Sequence, residues 1–144
     1  MDTDAQDKRI AAILGENENL DFDEALKVFY EYLKSHLSLP CEVTGIEDFR
    51  WEEVYVFGHG DKKEYDRLKK TQPSYRDQYE LLEIDCEAES GWMLFLAEDM
   101  GAHVRRISDG KKFVLGLSEL EATDKRSKNY QILDDYAVWF VNNR

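Results

Sequence analysis

At Pro40 the hydrophobic period of this 144-residue chain changes, and that change limits the fold more than any other feature. Before it, Leu26, Phe29, Tyr30, Leu33 and Leu37 recur at helical spacing, behind an Asp21/Glu24 start with the chemistry of a capping box. The pattern predicts a helix over 22–37. It ends ahead of the proline, because proline pushes the preceding residue out of the helical region. After Pro40 the spacing falls to two. "CEVTGI" (41–46), "EEVYVFG" (52–58) and the stretch over about 78–88 read as strands. "WMLFLAE" (92–98) is apolar on both faces and reads as the central, most buried strand. "AHVRRI" (102–107) and "KKFVLGL" (111–117) flank an Asp109-Gly110 turn and predict a hairpin.

Helical patterns bracket the strands. Residues 4–14 suit a short amphipathic helix and 60–74 a polar surface helix or excursion closed by Pro73. Residues 127–141 suit a final helix whose wide apolar face carries Tyr136, Trp139 and Phe140. The expected fold is α+β: a small antiparallel, SH3-like β-barrel or sheet flanked by N-terminal and C-terminal helices. The length suits a single domain over 1–144, with residues 1–21 (first helix and acidic loop) as an appendage. No apolar run approaches the ~18 residues needed to span a bilayer. "MDTDAQDKRI" has no signal-like apolar core, so a cytoplasmic location and no membrane partner are expected.

The charge is lopsided. Of a net −12, residues 1–60 hold 14 acids against 5 Lys/Arg, while residues 61–144 hold 17 against 14. A negative field of this kind repels phosphate backbones, which argues against nucleic acid, and attracts cations or a basic partner.

Four of the acids alternate along one strand: Glu83, Asp85, Glu87 and Glu89 within "LLEIDCEAES". Residues two apart on a strand are about 7 Å apart, whereas the oxygens around one calcium ion sit within about 5 Å of each other. Repulsion between such neighbours in water is only about 0.6 kcal/mol. The row therefore reads as a solvent face, neutralised by a basic residue such as Arg105 or Lys111 on an adjacent strand. An EF-hand does not fit either. Counting from Asp85, Gly91 falls at position 7 and Leu96 at 12, where the loop needs Gly at 6 and Glu at 12.

Loops suit a cation better. Glu47-Asp48 lies between two predicted strands, Glu98-Asp99 follows the predicted central strand, and "GENENLDFDE" offers Glu16, Glu18, Asp21 and Asp23. In that last stretch capping already accounts for Asp21, and acids in a first turn complement the helix dipole. Cys41 and Cys86, with His36, His59 and His103, have no ligand spacing, so neither zinc nor a disulfide is expected. "GHG" (58–60) reads as a turn. No P-loop, GxSxG, HExxH or GxGxxG is present, and no enzyme activity is expected.

From "FYEYLKSHLSLPCEV" (29–43), through "VRRISDGKKFVLGLSELEATD" (104–124), to "NYQILDDYAVWFVNNR" (129–144), the chain resembles a known family. These are the small acidic bacterial calcium-binding proteins typified by cyanobacterial CcbP. The likeness runs over roughly residues 22–144, without the first helix and the 60–74 excursion. It implies a non-enzymatic, cytoplasmic protein that binds a calcium ion through loop carboxylates, not an EF-hand, as buffer or sensor. Carried onto this sequence, it implies ligation by Glu47 and Asp48, then Glu98 and Asp99, with Glu87 and Glu89 as auxiliaries. Asp134 and Asp135, inside the shared closing motif, read as polar positions on a packed helix. The rival reading is an acidic protein-interaction module without specific metal binding. It would dock a basic protein partner through its first half, using exposed aromatics around Phe49, Trp51 and Tyr55.

Overall fold

A computed structural model describes residues 3–15, 20–58, 60–95 and 98–144. Glu16, Glu18, His59, Leu96 and Ala97 lie outside the described residues. The chain begins with helix α1 (Thr3–Leu14) and helix α2 (Phe22–His36). As the sequence predicts, Asp21 caps α2, its carboxylate accepting the Glu24 N–H at 2.8 Å. Such a cap contributes about 1 kcal/mol. The apolar stripe of α2 is buried, with Phe29 and Leu33 at zero exposure.

Strand β1 (Cys41–Gly45) follows Pro40. A 3₁₀ turn (Arg50–Glu52) then runs into the short helix α3 (Glu53–Val56), and helix α4 covers Lys62–Leu68. The remaining elements are β2 (Gln78–Asp85), β3 (Gly101–Arg106), β4 (Lys112–Gly116), a 3₁₀ turn (Leu117–Glu119), β5 (Leu120–Ala122) and helix α5 (Lys128–Asn143). The strands form one antiparallel sheet in the order β4-β3-β2-β1-β5. It is an open sheet. Of the two expected forms, the barrel is not realised, because β4 and β5 stand at opposite edges.

Val43, Tyr79, Leu81, Ala102, Val104 and Leu115 point to the buried side of the sheet. There they meet Phe29 and Leu33 of α2 and Ile132, Leu133, Tyr136 and Phe140 of α5. Each fully buried side chain of this size contributes roughly 1.5–3 kcal/mol. Helix α5 is capped by Ser127, whose hydroxyl accepts the Tyr130 N–H at 3.1 Å, and it packs over β5 and the turn before it. Its Asp135 is buried and takes Arg9 of α1 at 2.9 Å and 3.0 Å, which ties the first helix to the last.

Two predicted strands are corrected. "EEVYVFG" (52–58) is helical turn, because Glu52 is completely buried and takes donors from four directions. These are the Tyr65 and Ser74 hydroxyls at 2.6 Å each, the Tyr75 N–H at 2.8 Å and the Phe49 N–H at 3.3 Å. Trp51 and Tyr55, four apart, pack edge-on at 6.1 Å as a helix allows. Tertiary partners override the strand propensity of Val54, Tyr55 and Val56. Phe49, expected among exposed aromatics, is 2% exposed.

The stretch 92–98 is not the central strand. Its described residues form turns, and β2 is central. The run is apolar because its side chains plug separate gaps. Trp92 meets Phe113 edge-on at 6.3 Å, Met93 is buried, and Phe95 packs on Phe140 at 5.5 Å. Periodicity alone cannot distinguish such a plug from a buried strand.

The carboxylate row faces outward as expected, but only Glu83 and Asp85 belong to β2. A bulge between Leu81 and Glu83 leaves Leu82 37% exposed. Arg105 pairs with Glu80 and His103 with Asp85 across the β2–β3 ladder. At the end of that ladder Arg106 is buried and holds the 60–77 excursion. It donates to the carbonyls of Lys69, Lys70 and Gln72 and to the carboxylates of Asp77 and Asp109, all at 2.8–3.1 Å.

Candidate functional site

Beyond Gly45 the chain leaves the sheet as the Ile46–Asp48 loop, and the Ile46 N–H donates to the Glu119 carbonyl at 2.9 Å. Directly across, β4 ends at Gly116 and the 3₁₀ turn presents Ser118 and Glu119. Asp99, whose N–H donates to the Phe95 carbonyl at 3.1 Å, stands beside them. A cleft of about 480 Å³ opens here, lined by Ile46, Glu47, Asp48, Leu94, Phe95, Ser118, Glu119 and one face of α5.

Asp99 is 2% exposed. Its Oδ2 accepts the Ser118 hydroxyl at 2.7 Å and the Ser118 N–H at 3.1 Å, and its Oδ1 accepts the Tyr136 hydroxyl at 2.6 Å. Burial pushes its carboxyl up to about 6, against the opposing pull of these hydrogen bonds. Glu119 is half-buried, and its Oε2 accepts the Leu94 N–H at 3.1 Å. Burial raises it to about 7, with the nearby Asp99 charge adding to the rise.

The two acids meet over Gly116. A Cβ placed on that glycine would lie 2.4 Å from Glu119 Oε2 and 2.7 Å from Asp99 Oδ2. Two oxygens that close to one point are within about 5 Å of each other, the span across a single calcium ion. Among the described residues neither acid forms an ion pair.

The predicted ligands are divided between two clefts. Exposed Glu47 and half-buried Asp48 line the first, with Glu119 and Asp134. Exposed Glu87 and Glu89 lie beyond the end of β2 and line a second cleft of about 310 Å³, with Asp23, Lys27 and Asp99. Asp99 lines the second cleft but bonds to Ser118 of the first, so it stands in the partition. Glu98 is exposed and lines neither of these clefts. Asp134 accepts the Gln6 amide at 2.9 Å, in keeping with a structural role for the Asp134-Asp135 pair.

Glu119 escaped the sequence reading. Its signal was an acid embedded in the apolar run "LGLSELEA". Burial also raises the Cys41 thiol to about 11 and pushes Cys86 upward, which keeps both as protonated, unreactive groups.

The donor set is all oxygen and mostly carboxylate, the chemistry a hard cation takes. Calcium needs 6–8 oxygens, and no group of three or more potential ligands stands ready among the described residues. The Asp99–Glu119 pair therefore fits as one side of a site.

No family model and no curated protein matches this chain. Solved structures do. A structure described as a calcium binding protein in the calcium-binding form shares 20% identity over 96% of this chain and 90% of its own, with a TM-score of 0.59. The crystal structure of Anabaena CcbP shares 19% identity over 94% and 89%, with a TM-score of 0.58. This chain has the CcbP fold. The neighbours thus share the fold of this chain and bear out the resemblance at the level of fold.

Proposed function

We propose that this protein binds calcium reversibly at the first cleft, without an EF-hand and without catalysis, as a cytoplasmic buffer or sensor. The observation that carries the reading is the Asp99–Glu119 pair over Gly116, two close acids with no basic partner among the described residues. Negative charge held half out of water without a counter-charge is costly, and a proton or a cation relieves it. The proximity of calcium-binding structures in fold favours calcium.

Glu119 would offer its carboxylate directly, with Asp48 and Glu47 closing from the opposite loop. Asp99 would act from behind, its own oxygens held by Ser118 and Tyr136. A bound calcium ion would supply two positive charges to a site rich in negative charge. The exposed Glu87, Glu89 and Glu98 would contribute field and not ligation.

The test is a thermal unfolding scan of chelator-stripped protein, repeated with calcium and with magnesium. Calcium at a hundred times its dissociation constant adds about 2.7 kcal/mol to stability. For a domain of this size that is roughly 5–10 °C in the midpoint. Glu119→Gln, and separately Glu47→Gln with Asp48→Asn, should each diminish the calcium shift. No shift with calcium in the parent protein would overturn the reading. A shift unaltered by either variant would overturn the ligand set.

A further inference from the structure

The first cleft carries more than carboxylates. One wall is a stripe of α5 in which Asp134, Ala137, Val138 and Val141 recur at helical spacing, about 10 Å long. Ile46, Leu94 and Phe95 form the apolar surface opposite. Val141 is 56% and Ile46 41% exposed, so large apolar groups on both sides face water. Four acids stand among these residues, Glu47, Asp48, Glu119 and Asp134, and among the described residues no Lys, Arg or His lines the cleft. Phe95 already carries a cation: the Arg144 guanidinium lies 3.8 Å from its ring centroid.

An apolar trough whose charged lining residues are acids, with Arg144 set apart on Phe95, is complementary to one kind of occupant, an apolar face edged with Lys or Arg. We propose that this cleft docks a basic amphipathic helical segment of another protein, and that the segment and the cation compete for Glu47, Asp48 and Glu119. The second half of the proposal rests on the calcium reading above. Apolar side chains of the segment would cover Val138, Val141 and Ile46, and its cations would meet the rim carboxylates. A divalent ion on the same carboxylates removes the charge that holds the segment, so calcium expels it.

Fluorescence anisotropy tests this with a labelled synthetic peptide carrying Leu on one helical face and Lys on the other. A second peptide with the same residues scrambled around the helix is the control. In chelator, the amphipathic peptide should bind the full chain at least about tenfold more tightly than the scrambled one. Val138→Ser with Val141→Ser, and separately Ile46→Ser, should erase that preference while leaving the calcium thermal shift in place. Calcium, and not magnesium at equal ionic strength, should release the peptide. Equal binding of both peptides, or a preference that survives both wall variants, overturns the groove. Peptide binding that persists at calcium levels that raise the melting temperature overturns the shared carboxylates. Absence of any calcium shift in the thermal scan defeats the calcium reading and the competition with it, while the two peptides still decide the groove.

Discussion

Tyr136 and Asp99 are joined by a 2.6 Å hydrogen bond from the phenol to Oδ1, and the same phenol oxygen accepts the Met100 N–H at 3.3 Å. One side chain of α5 thereby holds both the buried acid and the start of β3. Tyr136→Phe keeps the ring in the core but leaves the Met100 N–H without its partner and takes a donor from Asp99. The expected loss is about 1–2 kcal/mol, read by urea unfolding. A loss under about 0.5 kcal/mol would mean that these bonds do not anchor the site.

Gly116 lets the two acids meet by having no side chain. Its φ of −74° is open to any residue, so Gly116→Ala introduces a methyl group without backbone strain. That methyl would meet Glu119 Oε2 at 2.4 Å and Asp99 Oδ2 at 2.7 Å, and the carboxylates must part. Calcium affinity should fall by roughly tenfold or more, because the ligand oxygens lose their spacing. Calorimetric titration giving an unchanged dissociation constant would remove Asp99 and Glu119 from the site.

The same pair sets a pH dependence. Asp99 and Glu119 are raised from 3.8 and 4.5 to about 6 and about 7, so between those limits the folded state holds protons the unfolded state has lost. Stability of the metal-free protein is therefore greatest at the acid end of the window and declines as pH rises from about 4 to about 7. Asp109, lowered to about 2 by its Arg106 bond, acts with the opposite sign, and only at more acid pH. Melting curves in chelator should show the decline, and Glu119→Gln should flatten it by a few degrees, about 2–5 °C. An equal slope in parent and variant would contradict the assignment.

Arg106 holds the 60–77 excursion through three carbonyls and two carboxylates. Lysine cannot reproduce that fork, so Arg106→Lys should cost about 2–4 kcal/mol. Hydrogen exchange should show lost protection in α4 and the turns that follow, with β1 and α5 retained until global unfolding. Unaltered exchange in α4 would mean that the excursion is held by the Glu52 network alone.

Local chemistry was enough for several elements. A capping Asp21 and one apolar stripe specify α2, an Asp-Gly turn between alternating segments specifies the β3–β4 hairpin, and the apolar face of Tyr136, Trp139 and Phe140 specifies α5. The outward aim of Glu83 and Asp85 follows from the period of two. The loop pairs Glu47-Asp48 and Glu98-Asp99 are legible as candidate ligands in the same way, although Glu98 lines neither cleft.

Only the tertiary structure decided the rest. Residues 52–58 look like a strand in isolation, but the donors that convert them to helix come from Tyr65, Ser74 and Tyr75, well away in sequence. The apolar run at 92–95 plugs the end of the sheet through partners on β4 and α5. Glu119 joins the site because the turn after β4 folds over Gly116 towards Asp99, twenty residues earlier in the chain. Caps and periodicities are short-range, so the sequence states them directly. The pairing of two acids, with no basic partner among the described residues, exists only once the sheet has assembled.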